Sequence, residues 1–248
     1  MLQKAAGTTI LILVMLGLQP GPVAQETELV MDRFSEGVTA EGLPQGWETL
    51  TFPKIPQHTT YVVEQSEGNF YLKAESRASA SGLIKRVEID PKLYPILSWR
   101  WKVEQIIKTG DERRKDRDDY AARVYITFKY DPQKASLWEK ITYGTYKTLY
   151  GEYPPKASIN YIWANKLAKG ESAASPYTDR SFMIAVESGT IGAGVWLTEE
   201  RNVFEDYRRL FGEDPPLIQG IAVMTDTDNT GESAVAYYDD IVFKPAPR

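Results

Sequence analysis

The sequence predicts an all-β fold, a two-sheet antiparallel β-sandwich carrying one or two short inserted helices. Short apolar runs recur along the chain with Gly, Pro and Asn between them, which is the spacing of sandwich strands. Several runs alternate strictly, most cleanly LSWRWKV (97–103) and YAARVYITF (120–128), so each presents one apolar and one mixed face. A chain of 248 residues accommodates such a sandwich as a single domain.

Residues 1–24 read as a secretory signal peptide. Lys4 precedes an apolar run from Ile10 to Leu18, Pro20-Gly21-Pro22 breaks it, and Ala24 stands before the expected cut. The run is shorter than the ~20 residues that span a bilayer. Residues 25–248 are then one β-sandwich domain, exported to a periplasm of the Gram-negative type, with no transmembrane helix in the mature chain. The absence of cysteine removes disulfides, thiolate metal sites, cysteine nucleophiles and attachment of lipid to an N-terminal cysteine. A mature chain of this length buries enough core to stand without disulfides. Net charge is −5, and −6 once Lys4 is removed with residues 1–24. With no basic stripe, nucleic acid is excluded as a partner, and neutral or cationic partners are favoured.

Taken in order, ELVMDRF (28–34) opens with alternation and reads as a first strand, and Gly42, Pro44 and Gly46 mark a loop before Trp47. TTYVVEQ, FYLKAES, LIKRVEI and YPILSWRWKVE follow as strands. In the last, Leu97, Trp99, Trp101 and Val103 share a face; flanked by aliphatics, the two tryptophans are expected to fill the space between the sheets rather than form a sugar platform. GDERRKDRDD (110–119) is expected to be a solvated charged loop. In the strand after it, Tyr120, Ala122, Val124, Ile126 and Phe128 face the core, and Ala121, Arg123, Tyr125 and Thr127 face away. Ser136 with Glu139 makes a capping box for a helix over 136–150. INYIWAN resumes strand character, with Asn160 opposite Ile159, Tyr161 and Trp163. In RSFMIAVES, Met183, Ala185 and Glu187 oppose Phe182, Ile184 and Val186, and GVWL (194–197) is a short strand. Asn202 with Glu205 starts a second helix that Gly212 ends, with Pro215-Pro216 beyond. QGIAVMTD and AVAYYDDIVF then close the sheets around the acidic loop DTDNTGE (226–232).

DDYAARVYITF, INYIWAN, VESG, ERNVFEDYRRLFGEDPPLIQGIAVMTDTDNTGES and YYDDIVF stand in this order over nearly the whole mature chain. Together they resemble DUF3047, a group of exported bacterial proteins of unassigned function; DYRRLFGE and GIAVMTDTDNTGES are the most specific part. The resemblance implies a jelly-roll sandwich of galactose-binding or concanavalin-like appearance, similar to carbohydrate-binding modules, and brings no catalytic residues. GLPQGW and YYDDIVF are similar to the first and last strands of such modules. There an acidic pair on the last strand often holds a structural calcium, which here implies Asp239 and Asp240 with Asp32.

The residue inventory excludes several chemistries. His58 is the only histidine and lies in a Pro-flanked segment, no G-x-S-x-G occurs, and a serine triad lacks its base. Zinc hydrolysis lacks its imidazoles and thiolates, and no phosphate-binding glycine loop is present. DTDNTGE matches the calcium-loop pattern at Asp226, Asp228 and Gly231. It fails at Thr230 and has Tyr237 where the twelfth-position glutamate belongs, so an EF-hand is rejected. A hard-cation site and a hydrogen-bonded Asx turn both remain as readings of the loop. The function expected is non-catalytic binding of a glycan or similar polar ligand by Arg123, Tyr125, Asn160, Glu187, Arg201, Asp226, Asp228 and Asn229. The alternatives are a glycan-active hydrolase or lyase using Glu187 and Asp226 as a carboxylate pair, with Arg123, Arg180, Arg201 and Asp206 as substrate clamps, and an envelope structural or assembly protein. A structural calcium is the one cofactor considered.

Overall fold

The computed structural model describes residues 27–133, 143 and 153–246. Its strands are β1 (Leu29–Asp32), β2 (Glu48–Leu50), β3 (Thr60–Ser66), β4 (Asn69–Arg77), β5 (Ala80–Ile89), β6 (Ile96–Val103), β7 (Tyr120–Phe128), β8 (Ala157–Ala164), β9 (Ser172–Ser175), β10 (Thr178–Ser188), β11 (Leu197–Asn202), β12 (Ile218–Asp226) and β13 (Ser233–Lys244). One sheet runs β11-β6-β13-β4-β3, with β1 also paired to β13; the other runs β2-β5-β12-β7-β8-β10-β9. This is the β-sandwich that the alternation requires, with one departure from antiparallel pairing. β8 and β10 are parallel, because β9 takes the sheet edge and the chain turns back between them as β10. The β3–β4 hairpin turns through Glu67 and Gly68, both at positive φ, as a two-residue turn matched to the strand twist demands.

The inner faces meet in one core. Trp99 and Trp101 are fully buried with ring centroids 5.4 Å apart and edge to face; Trp99 stacks on Tyr161 at 5.4 Å and Trp101 lies 5.7 Å from Trp163. The tryptophans therefore fill the sandwich, each aromatic pair adding ~0.5–1.5 kcal/mol beyond the area it buries. Trp101 Nε1 is satisfied by Glu199 Oε1 at 3.1 Å.

Helix α1 (Val203–Phe211) follows β11. Asn202 Oδ1 accepts from the Glu205 amide at 3.0 Å, Gly212 at φ 73° ends the helix, and Val203 and Tyr207 bury its inner face. The helix expected over 136–150 lies outside the described residues, Tyr143 excepted.

Two local expectations need correction, and two strands were not foreseen. The strand placed at GVWL begins only at Leu197 and continues through the polar LTEERN, because its hydrogen bonds to β6 matter more at a sheet edge than its hydropathy. β2 and β9 carry too little apolar pattern to be seen in sequence. The run 110–119 is not simply solvated: Glu112 and Asp119 are fully buried and Asp118 nearly so. Glu112 accepts from the backbone amides of Asn165, Lys166 and Leu167, so a carboxylate that reads as surface charge caps the loop after β8.

Candidate functional site

The site lies on the seven-stranded sheet, on the face turned away from the core. Antiparallel register sets Met224 beside Arg123 and Asn160 beside Tyr125, and the parallel β8–β10 pairing sets Met183 beside Asn160. Phe52 to Ile55, in the loop after β2, wall one side. The result is a cavity of about 600 Å³ lined by Arg123, Tyr125, Asn160, Asp226, Asp228 and Asn229 together with Tyr177 and Asp118. A second cavity of about 620 Å³, reaching Arg180 and Tyr143, shares Phe52, Tyr125 and Ser181 with the first, so the two adjoin along the sheet face.

One irregularity shapes the floor. Between the pairs Met224–Arg123 and Asp226–Tyr120, β12 advances two residues while β7 advances three, so β7 bulges at Ala121-Ala122. Period-2 alternation assigns Tyr120 to the core with Val124. The bulge moves it to the site face, where its ring centroid lies 4.6 Å from the Arg123 guanidinium. Backbone groups freed by the bulge find side-chain partners. The Thr225 hydroxyl donates to Ala121 O at 2.9 Å, and the Arg123 amide donates to the Tyr238 hydroxyl at 3.3 Å.

Arg123 is buried between the rings of Tyr120 and Tyr125, the latter 5.2 Å away, and its Nη2 donates to Asp226 Oδ2 at 2.6 Å. Asp226 has 1 % of its surface exposed. Burial pushes its carboxyl well above the usual carboxylate range, Arg123 pulls it down, and Asp119, Asp118 and Asp228 push it up further. Asp228 and Asp118 are also raised, chiefly by burial. Three buried polar atoms in residues lining this cavity have no hydrogen-bond partner: Arg123 Nε, Asn160 Oδ1 and Asp226 Oδ1. Asn160 is oriented by Nδ2, which donates to Ser181 Oγ at 2.8 Å and to Phe182 O at 3.3 Å.

The acidic loop is held from outside itself. The backbone and side-chain amides of Asn229 donate to Asp119 Oδ1, each at 3.2 Å, and the Thr230 amide donates to Asp119 Oδ2 at 2.7 Å. Gly231 closes the turn at φ 72°, its amide donating to Thr227 O, and Glu232 accepts from the amides of Lys108 and Thr109. Asp118 and Asp119 escaped sequence reasoning because a charge run hides which of its members are buried; the available signal was their position directly before the strongest strand.

Six of the eight expected ligand residues share the cavity, and two do not. Glu187 pairs with Lys169, because β10 carries its own bulge between Ala185 and Glu187 that turns Glu187 toward Trp163 and Glu199. It is not among the residues lining the cavity with Asp226, so the Glu187–Asp226 carboxylate pair is not assembled. Arg201 instead grips Asp206 with two hydrogen bonds, at 3.0 and 2.6 Å, while the Tyr161 hydroxyl donates to the same carboxylate; these residues anchor α1 rather than clamp a substrate. Arg180 reaches Tyr143 in the adjoining cavity.

The implied calcium set is likewise not assembled. Asp32 accepts from the Phe34 amide and from Trp47 Nε1. Asp239 accepts from Asn69 and Arg100, while Asp240, at φ 47°, pairs with Arg100 and Arg33. Among the described residues these three carboxylates do not come close enough together to share an ion; the acidic group that does is Asp119, Asp226 and Asp228.

Comparison with solved structures gives matches of low identity and low TM-score. The chain is 12 % identical to a carbohydrate-binding module, CBM28, specific for non-crystalline cellulose (TM-score 0.38, covering 88 % of this chain and 98 % of that one). It is 10 % identical to CBM27-1 of Caldicellulosiruptor saccharolyticus in complex with mannohexaose (TM-score 0.40, 90 % and 99 %). It is 11 % identical to a cleaved adhesin domain of Lys-gingipain from Porphyromonas gingivalis (TM-score 0.38, 89 % and 99 %). At these scores the likeness bears on neither ligand nor site. Comparison with curated proteins finds no match. Among the described residues no helix is long and apolar enough to cross a membrane. Residues 45–242 match the family described as "Protein of unknown function (DUF3047)", and the chain belongs to that family.

Proposed function

We propose that the protein is an exported, periplasmic and non-catalytic binder of a glycan or similar polar ligand, held in the cavity over β7, β8 and β12. One observation carries this reading: a cavity of about 600 Å³ whose lining residues hold an unpaired donor (Arg123 Nε) and an unpaired acceptor (Asn160 Oδ1). Buried polar atoms are ordinarily satisfied, so a donor and an acceptor left over in residues of one cavity fit a hydroxyl-rich ligand, which is both donor and acceptor. The rings of Phe52, Tyr125 and Tyr177 supply apolar surface beside them, as small-ligand sites require. The adjoining cavity gives room for more than one sugar unit along the sheet.

The reading is tested by passing the purified chain over an array of bacterial and plant glycans and measuring affinity for those retained. Tyr125→Ala removes a ring from both cavities without touching the core, so binding should weaken by about tenfold, or ~1.4 kcal/mol, with the melting temperature little changed. Absence of retention across the array, or undiminished affinity in the variant, would refute the assignment.

A further inference from the structure

We propose that Asp119, Asp226 and Asp228 form a binding site for one hard divalent cation, Ca²⁺ in the first instance. One carboxylate oxygen from each residue lies within 4.8 Å of those from the other two. Oxygens that ligate Ca²⁺ at about 2.3–2.6 Å can be no more than about 5 Å apart across the ion, so the three satisfy the distance condition together. Asp119 and Asp226 are almost fully buried.

A cluster of acids alone would be no site, and Asp226 supplies the independent sign. Its Oδ2 is taken by Arg123, whereas its Oδ1 is enclosed in protein with no hydrogen-bond partner. An unpartnered buried carboxylate oxygen beside two further carboxylates faces its natural complement in a cation, not in another acceptor. Charge agrees: Asp118, Asp119, Asp226 and Asp228 interact electrostatically around Asp226, with Arg123 as the nearby counterion. The donors are all oxygen and the chain has no cysteine, which selects Ca²⁺ or Mg²⁺ over zinc or copper.

The three ligands come from different places: the residue before β7, the last residue of β12, and the loop after it. Asp119 also holds the amides of Asn229 and Thr230, so an ion here ties the loop to the bulged start of β7. The site is separate from the acids of the last strand, and it needs no glycan.

The experiment is titration calorimetry of CaCl₂, and in parallel MgCl₂, into the chelator-treated chain without any glycan, accompanied by thermal melts. One saturable Ca²⁺ event and a rise in melting temperature are expected. Asp228→Asn, at a half-buried residue, should weaken the affinity by ~10-fold or more. Asp214→Asn, an exposed acid paired with Lys92, should leave it unchanged. No saturable binding of either ion to the parent chain overturns the proposal, as does equal affinity in the parent chain and Asp228→Asn. If Ca²⁺ binds as expected while the glycan array is blank, the cation site stands and the glycan reading falls.

Discussion

Arg123 and Asp226 are 103 residues apart in sequence and 2.6 Å apart in space. Both side chains are buried, and the guanidinium is held between two tyrosine rings. Removing one member of a buried ion pair strands the other, which costs ~3–5 kcal/mol, far above the value of a surface bridge. Arg123→Ala should therefore lower stability by that amount in urea denaturation, because Asp226 would be left among Asp118, Asp119 and Asp228 without its cation. A loss below about 1 kcal/mol would show that the carboxylate relaxes or takes up a proton at little cost. The outward direction of Arg123 was legible in the alternation of YAARVYITF. Its burial was not, because the loop over Phe52 to Ile55 and the carboxylate of Asp226 come from distant segments.

Two β-bulges decide which side chains reach the site. The bulge in β7 adds Tyr120 to the cavity face, and the bulge in β10 withdraws Glu187 from it. A single extra residue reverses the facing of everything beyond it. The second bulge leaves Glu187 near Glu199, whose carboxyl is pushed up to about 7 from 4.5, mainly by burial and further by Glu187. A carboxyl raised on folding binds its proton more tightly in the folded chain. Its destabilising effect is full above about pH 7 and is relieved as pH falls toward 4.5. Glu199→Gln keeps an acceptor for Trp101 Nε1 and removes that charge. The variant should melt a few degrees higher than the parent at pH 8, and the gap should close by pH 4.5. A gap independent of pH would place its origin in packing instead.

Stability of the whole molecule rests on the aromatic layer between the sheets. Trp99 touches Trp101 within β6 and Tyr161 across the core, with no exposed surface. Trp99→Ala should cost ~3–5 kcal/mol, seen as one cooperative shift in calorimetry; two separate transitions would mean that the sheets unfold independently. Side-chain period and capping residues determined this much from sequence alone: the sandwich, its tryptophan core, the capped helix after β11, and the outward placement of Arg123, Tyr125 and Asn160. Those features depend on the period of side chains along one segment, which a sequence displays directly. Tertiary structure alone decided that Arg123 meets Asp226, that Asp119 joins Asp226 and Asp228, and that Glu187, Arg201, Asp32, Asp239 and Asp240 serve protein donors elsewhere. The reason is physical: where charges meet depends on register shifts and on loops from remote parts of the chain, and neither leaves a periodic mark on the segments they bring together.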